Sequence, residues 1–232
     1  MLSPHGVWSR RWLLLQPTTA RAPRPHSGHA RLRCGRGRLR QVPAVRAPTH
    51  PANATQERLT EILQAMLDHH DILRASLAGA VGDRSLDIAE PGTVQATDRL
   101  ERIDASGMDH TALREAVTTA LHHAQELLDP SAGVLVRAAW FDAGSDTPGR
   151  LLLVLHHLVA DGVSWRILLS DLATAWQAVT NGQEITLPPT GTSFRRWAQL
   201  LTEEAQNPKR FKELPLWSRI LQHPEPTLGG RP

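Results

Sequence analysis

Residues 151–155 are five consecutive aliphatic residues that run directly into His156 and His157, with Asp161-Gly162 and Ser164-Trp165 close behind. A histidine side chain changes charge near neutral pH, so it can take and return a proton under physiological conditions. Buried, it must also find partners for its nitrogens. The aliphatic run reads as a strand covered on both faces, and successive side chains on a strand point to opposite sides. One histidine therefore enters the interior while its neighbour meets a different space. That separation argues against both binding one metal, and no third His or Cys lies near in sequence to complete a zinc site. No metal site is expected. The division of labour that fits gives one imidazole a structural hydrogen bond and leaves the other as a base. Asp161 has two roles open to it, orienting an imidazole or pairing with a cation. Gly162 allows a positive φ or a close backbone approach.

Two more pairs, His69-His70 and His122-His123, fall in or at the end of helical patterns rich in Gln, Glu and Asp. Neighbours on a helix point about 100° apart, so both pairs read as solvated surface. The elements around them follow from periodicity. Leu59, Ile62, Leu63, Met66 and Leu67 share one helical face, and Asn53 or Thr55 can cap that helix. A strand is expected over 71–79, and two weaker strands lie within 84–104. Leu113, Val117, Ala120, Leu121, Ala124 and Leu128 mark a second helix. Residues 133–157 read as a hairpin. Ser164 opens a helix that Asn181-Gly182 stops, and helices over 193–206 and 209–221 complete the series. The order α-β-β-β-α-β-β-α-α-α argues for an α+β layered domain with a mixed sheet packed by helices.

Charge is unevenly placed. Residues 1–56 carry ten arginines and no acidic residue, whereas residues 57–232 hold 16 basic and 23 acidic side chains. The body is acidic and lacks the clustered basic face that nucleic acid requires. No apolar run approaches the roughly 20 residues of a membrane span. A single cysteine, Cys34, excludes an internal disulfide framework and fits a reducing, cytoplasmic setting. Residues 1–52, rich in Arg, Pro, Gly and Ala, have too little apolar surface to offset chain entropy and read as disordered. Residues 12–15 are too short an apolar run for a secretory signal. A transit peptide matches the composition, and so, better, does a GC-rich coding region read out of frame.

"HHLVADGVSWRILLSDL" resembles the His-His-x-x-x-Asp-Gly signature of the condensation-domain superfamily of nonribosomal peptide synthetases, and Val-Ser-Trp-Arg-Ile-Leu resembles its epimerization branch. "LDHHDILRASL", "LPPTGTSFRRWAQLL" and "ELPLW" resemble three further segments of the superfamily in the same order. The likeness covers residues 53–223, with 224–232 a polar tail. It implies one chloramphenicol-acetyltransferase-like lobe, with the active site in a tunnel between two such lobes. The implied chemistry is an isomerase reaction: inversion from L to D at the α-carbon of an aminoacyl or peptidyl thioester, in the biosynthesis of peptide secondary metabolites such as antibiotics. No cofactor is bound directly. The substrate rides on the 4'-phosphopantetheine of a peptidyl carrier protein, and other synthetase modules are the remaining partners. Carried over by position, His157 is the catalytic base, His156 is structural, and Asp161 forms a buried ion pair with Arg74, so that losing Asp161 misfolds the site. The backbone amides at Val163 and Ser164, where a helix begins, are candidate donors to the enolate oxygen.

Two departures from the resemblance stand out. The superfamily's opening Pro-Ile-Gln segment has no counterpart beyond a Ser-Pro and a Trp. The chain stops soon after "ELPLWSRIL", so a second lobe and its acid/base Glu are expected to be missing and the chain to be inactive alone. Two alternatives remain: a condensation domain forming peptide bonds, which residues 163–165 and 192–198 disfavour, and a non-catalytic lobe that docks a carrier.

Overall fold

The computed structural model describes residues 44–46, 54–80 and 84–222. Thr55, in extended conformation, caps the first helix, α1 (Gln56–His69), by accepting a hydrogen bond at Oγ1 from the Arg58 amide at 3.3 Å. The apolar residues at helical spacing, Leu59, Ile62, Leu63, Met66 and Leu67, are all buried. A 3₁₀ turn over Asp71–Arg74 follows. The strand expected from residue 71 thus begins four residues later, as β2 (Ala75–Ala78), because the Leu73 amide bonds back to the His70 carbonyl at 3.0 Å. β2 pairs antiparallel with β3 (Ser85–Ile88), and the two form a separate ribbon outside the main sheet.

The main sheet is mixed. β4 (Leu100–Asp104) runs parallel to β5 (Val136–Asp142), and the crossover between them is α2 (His110–Glu126), capped by Asp109. The expected hairpin forms between β5 and β6 (Arg150–Leu155), antiparallel, with Val136 opposite Leu155 and Phe141 opposite Arg150. β1 (Ala44–Arg46) lies on the other side of β6, with Ala44 opposite Leu155, which gives the order β1-β6-β5-β4. This short strand sits inside the segment expected to lack structure. The proposed signal, transit and frame features of residues 1–43 lie outside the described residues.

Strand alternation sorts the core into two layers. Val136, Ala138, Trp140, Leu151, Leu153 and Leu155 face α1 and the long helix α3 (Ser164–Thr180). Ala139, Phe141, Leu152 and Val154 face α2. β6 is therefore covered on both faces, as its unbroken aliphatic sequence requires. Each such side chain contributes about 1.5–3 kcal/mol when fully buried, so the strand that delivers the histidines is firmly held. Gly182, at φ 67°, ends α3 in the left-handed region that favours glycine.

The chain divides into two compact units at Gly191/Thr192. In the second, Ser193 caps α4 (Phe194–Ala205) through a 3.2 Å bond from the Arg196 amide, and α5 (Pro208–Gln222) follows. Arg210 joins these helices, reaching Glu204 and Glu213 at 2.7 Å each. None of their apolar residues is buried; Trp197, Leu201, Phe211, Leu214 and Trp217 are all exposed.

Candidate active site

His156 follows the last residue of β6, and its amide continues the ladder by donating to the Leu135 carbonyl at 2.9 Å. Its side chain is buried, whereas that of His157 is exposed. The two imidazoles are held by the same ring nitrogen in opposite senses. His156 Nδ1 lies 3.0 Å from the Leu158 amide, which can only donate. His156 Nδ1 is thus unprotonated, and its proton resides on Nε2, which is buried without a hydrogen-bond partner. His157 Nδ1 lies 3.0 Å from the Ala160 carbonyl, which can only accept. His157 therefore carries its proton on Nδ1 and presents Nε2 as the basic atom. Burial pushes the His156 imidazole below its ordinary pKa, and the neighbouring His157 adds to this. Charging it would also cost the bond from Leu158.

Asp161 is exposed and stands just ahead of α3. Its Oδ1 accepts from the Val163 amide at 2.9 Å, the Ser164 amide at 2.8 Å and the Ser164 hydroxyl at 2.8 Å. The Ser164 contacts, backbone first, hold its carboxyl below the ordinary carboxylate range. Three sequence expectations are corrected at this point. First, Val163 and Ser164 do not offer open amides to an enolate oxygen, because the carboxylate already takes both. Second, no ion pair joins Asp161 to Arg74. The Arg74 guanidinium is buried and donates to the carbonyls of Leu67, Asp68 (2.8 Å) and Ala89 (2.9 Å). It is the cation at the C-terminal end of α1, where the helix dipole and unpaired carbonyls favour positive charge. Third, Gly162 is not in the positive-φ region, and a Cβ added there would meet nothing within 4 Å. The structure gives no backbone reason for glycine at 162.

The other histidine pairs differ from each other. His122 and His123 are exposed on α2, as expected. His69 and His70 are half-buried rather than fully solvated. α1 ends between them, and His70, at φ −95° and ψ 93°, turns out of the helix, so the 100° argument fails there. Their rings meet edge to face with centroids 4.9 Å apart, and His70 Nε2 lies 3.0 Å from Asp171 Oδ2 of α3. Burial lowers the pKa of His70, against the pull of Asp171. Sequence reading missed Asp171, which sits among the apolar positions of α3 as its buried carboxylate. A charged residue within the apolar stripe of a helix was the available signal.

The condensation domain family model matches residues 49–229 of the chain. A linear gramicidin synthase polypeptide of Brevibacillus parabrevis is 35% identical over 177 residues, covering 76% of this chain and 3% of that protein. Surfactin synthase subunit 2 of Bacillus subtilis (strain 168) is 32% identical over 164 residues, covering 71% of this chain and 4% of that protein. Among solved structures, the epimerization domain from the third module of tyrocidine synthetase B superposes with a TM-score of 0.69 at 26% identity, over 84% of this chain and 41% of that one. The X-domain from teicoplanin biosynthesis shares the fold, with a TM-score of 0.64 at 20% identity over 82% of this chain and 42% of that one. The chain thus spans a small part of the synthases it matches and under half of the matched domains. Its α+β lobe, with a mixed sheet between helices and a paired histidine at the end of β6, belongs to the condensation-domain family of nonribosomal peptide synthetases.

Proposed function

We propose that this chain supplies the first lobe of an epimerization domain, with residues 53–223 as that lobe and His157 as the base. The carrying observation is the 3.0 Å contact between His157 Nδ1 and the Ala160 carbonyl, which makes Nε2 of an exposed ring the basic atom. In this reading Nε2 takes the α-proton of an aminoacyl or peptidyl thioester and becomes imidazolium. The electrons of the C–H bond move into the Cα–C bond as the thioester carbonyl becomes an enolate. A second acid returns a proton on the opposite face, giving the D centre, and His157 then releases its own proton. A thioester suits this step because its carbonyl accepts enolate charge better than an amide does. The developing charge still needs oriented donors, and these come from elsewhere than Val163 and Ser164. His156, Asp161 and Arg74 support the site by fixing the loop, the start of α3 and the end of α1.

The substrate is proposed to arrive on the phosphopantetheine arm of a carrier protein in the cytoplasm, with neighbouring synthetase modules as further partners and no nucleic acid. No helix among the described residues is long and apolar enough to cross a membrane. A chimera tests the reading: residues 53–223 replace the matching lobe of an active epimerization domain, and a carrier-bound aminoacyl thioester is incubated in heavy water. Deuterium uptake at the α-carbon is expected, falling about 10²–10⁴-fold in His157→Ala. With a second, aminoacyl-loaded carrier added as acceptor, a folded chimera that yields a longer peptide on that carrier without exchange would establish the peptide-bond-forming alternative.

A further inference from the structure

The group of half-buried His69 and His70 with buried Asp171 has no task in the chemistry proposed for His157. One ligand atom from each of the three lies within 4.8 Å of those of the other two. Both His69 Nε2 and His70 Nε2 are sealed from water and lack a hydrogen-bond partner. The 3.0 Å approach of His70 Nε2 to Asp171 Oδ2 has the distance of an ion pair without the alignment of a hydrogen bond. Buried ring nitrogens and a buried carboxylate are costly when left unsatisfied. Two sealed, unpartnered imidazole nitrogens gathered beside a buried carboxylate call for a shared partner. We propose that they form a binding site for one divalent transition metal ion, of which Zn²⁺ matches the donors best.

The donor set, two imidazole nitrogens and one carboxylate oxygen, is one that Zn²⁺ accepts at about 2.0–2.2 Å. Tetrahedral bonds of that length put donors roughly 3.3 Å apart. The His70–Asp171 pair already stands at 3.0 Å, and every pair in the group lies within 4.8 Å. Three protein ligands leave a fourth position, which a water entering with the ion would fill. The two histidines converge because α1 stops between them, and Asp171 comes from the middle of α3. Bound metal would fasten the C-terminal end of α1 to α3, the helix that opens directly after the His157 loop. The site is structural, and it owes nothing to the reading of His157 as a base.

The test uses the full chain, stripped with chelator and titrated with Co²⁺ and separately with Zn²⁺. One equivalent is expected to bind, with the visible bands of tetrahedral cobalt and a melting temperature that rises with zinc concentration. His69→Ala, His70→Ala and Asp171→Asn should each weaken binding by more than about 100-fold, beyond the loss of an outer partner. A His122→Ala/His123→Ala variant should bind as the parent does. Circular dichroism checks the fold of each variant; if His70→Ala does not fold, His69→Ala and Asp171→Asn decide. Absence of binding by the parent, or binding unchanged in the folded variants, overturns the site.

Discussion

At the scale of single residues, the two histidines differ in which nitrogen holds the proton, and that difference rests on one amide and one carbonyl. Because the folded-state pKa of His156 is lowered from 6.5, the unfolded chain binds more protons there as acid is added. The stabilising contribution of neutral His156 is complete above 6.5 and is lost as the pH falls toward the lower folded value. Denaturant midpoints taken from about pH 8 to about pH 5 should therefore decline, and His156→Asn should flatten part of the slope. Asn keeps an acceptor for the Leu158 amide and removes the titration. Gly162→Ala should leave the melting temperature nearly unchanged, within about 0.5 kcal/mol, since nothing in the chain approaches that position. Loss of turnover in that variant would then report on what passes over the loop. Strand alternation made the separation of the pair legible in advance. The partners of the loop were not, since an Asp near a helix start reads equally well as a cap or as half of an ion pair.

Among the elements, Arg74 and Asp161 each fasten a helix end by opposite charges, in keeping with the dipole at each terminus. Arg74→Ala removes bonds to three carbonyls from a buried cation and is expected to cost roughly 2–4 kcal/mol, read as a shift in the urea midpoint. Asp161→Ala should produce the smaller loss of the two, because its carboxylate is exposed and water can replace it at the helix start. The helices and their buried faces were legible because a 3.6-residue period survives without knowledge of neighbours. The strand expected at residue 71 began late because Leu73 and Arg74 are buried by a turn as well as they would be by a strand. The convergence of His69 and His70 was hidden for a related reason: periodicity locates a helix but does not fix its final residue.

For the molecule as a whole, the order of elements from residue 56 onward could be read from the sequence, but not the order of strands. Alternation tells which side of a strand is apolar and is silent about which strand lies beside it. The parallel β4–β5 pair and the separate β2–β3 ribbon emerge only from the structure. In α4, Phe194, Trp197 and Leu201 recur at helical spacing yet stand exposed, an arrangement that makes a chain adhesive. Replacing Trp197 and Leu201 with serine should reduce light scattering in concentrated solution while the melting transition of the unit ending at Gly191 stays where it was. A second hazard lies in the main sheet. β1 covers only Leu153–Leu155 of β6, and no described strand pairs with residues 150–152 on that side. Among the described residues the backbone of 150–152 thus lacks a strand partner on that side, and such an edge on an aliphatic strand is a template on which a foreign strand can add. β1, by pairing with residues 153–155, and the positive charge of Arg150 at the open end both oppose such addition.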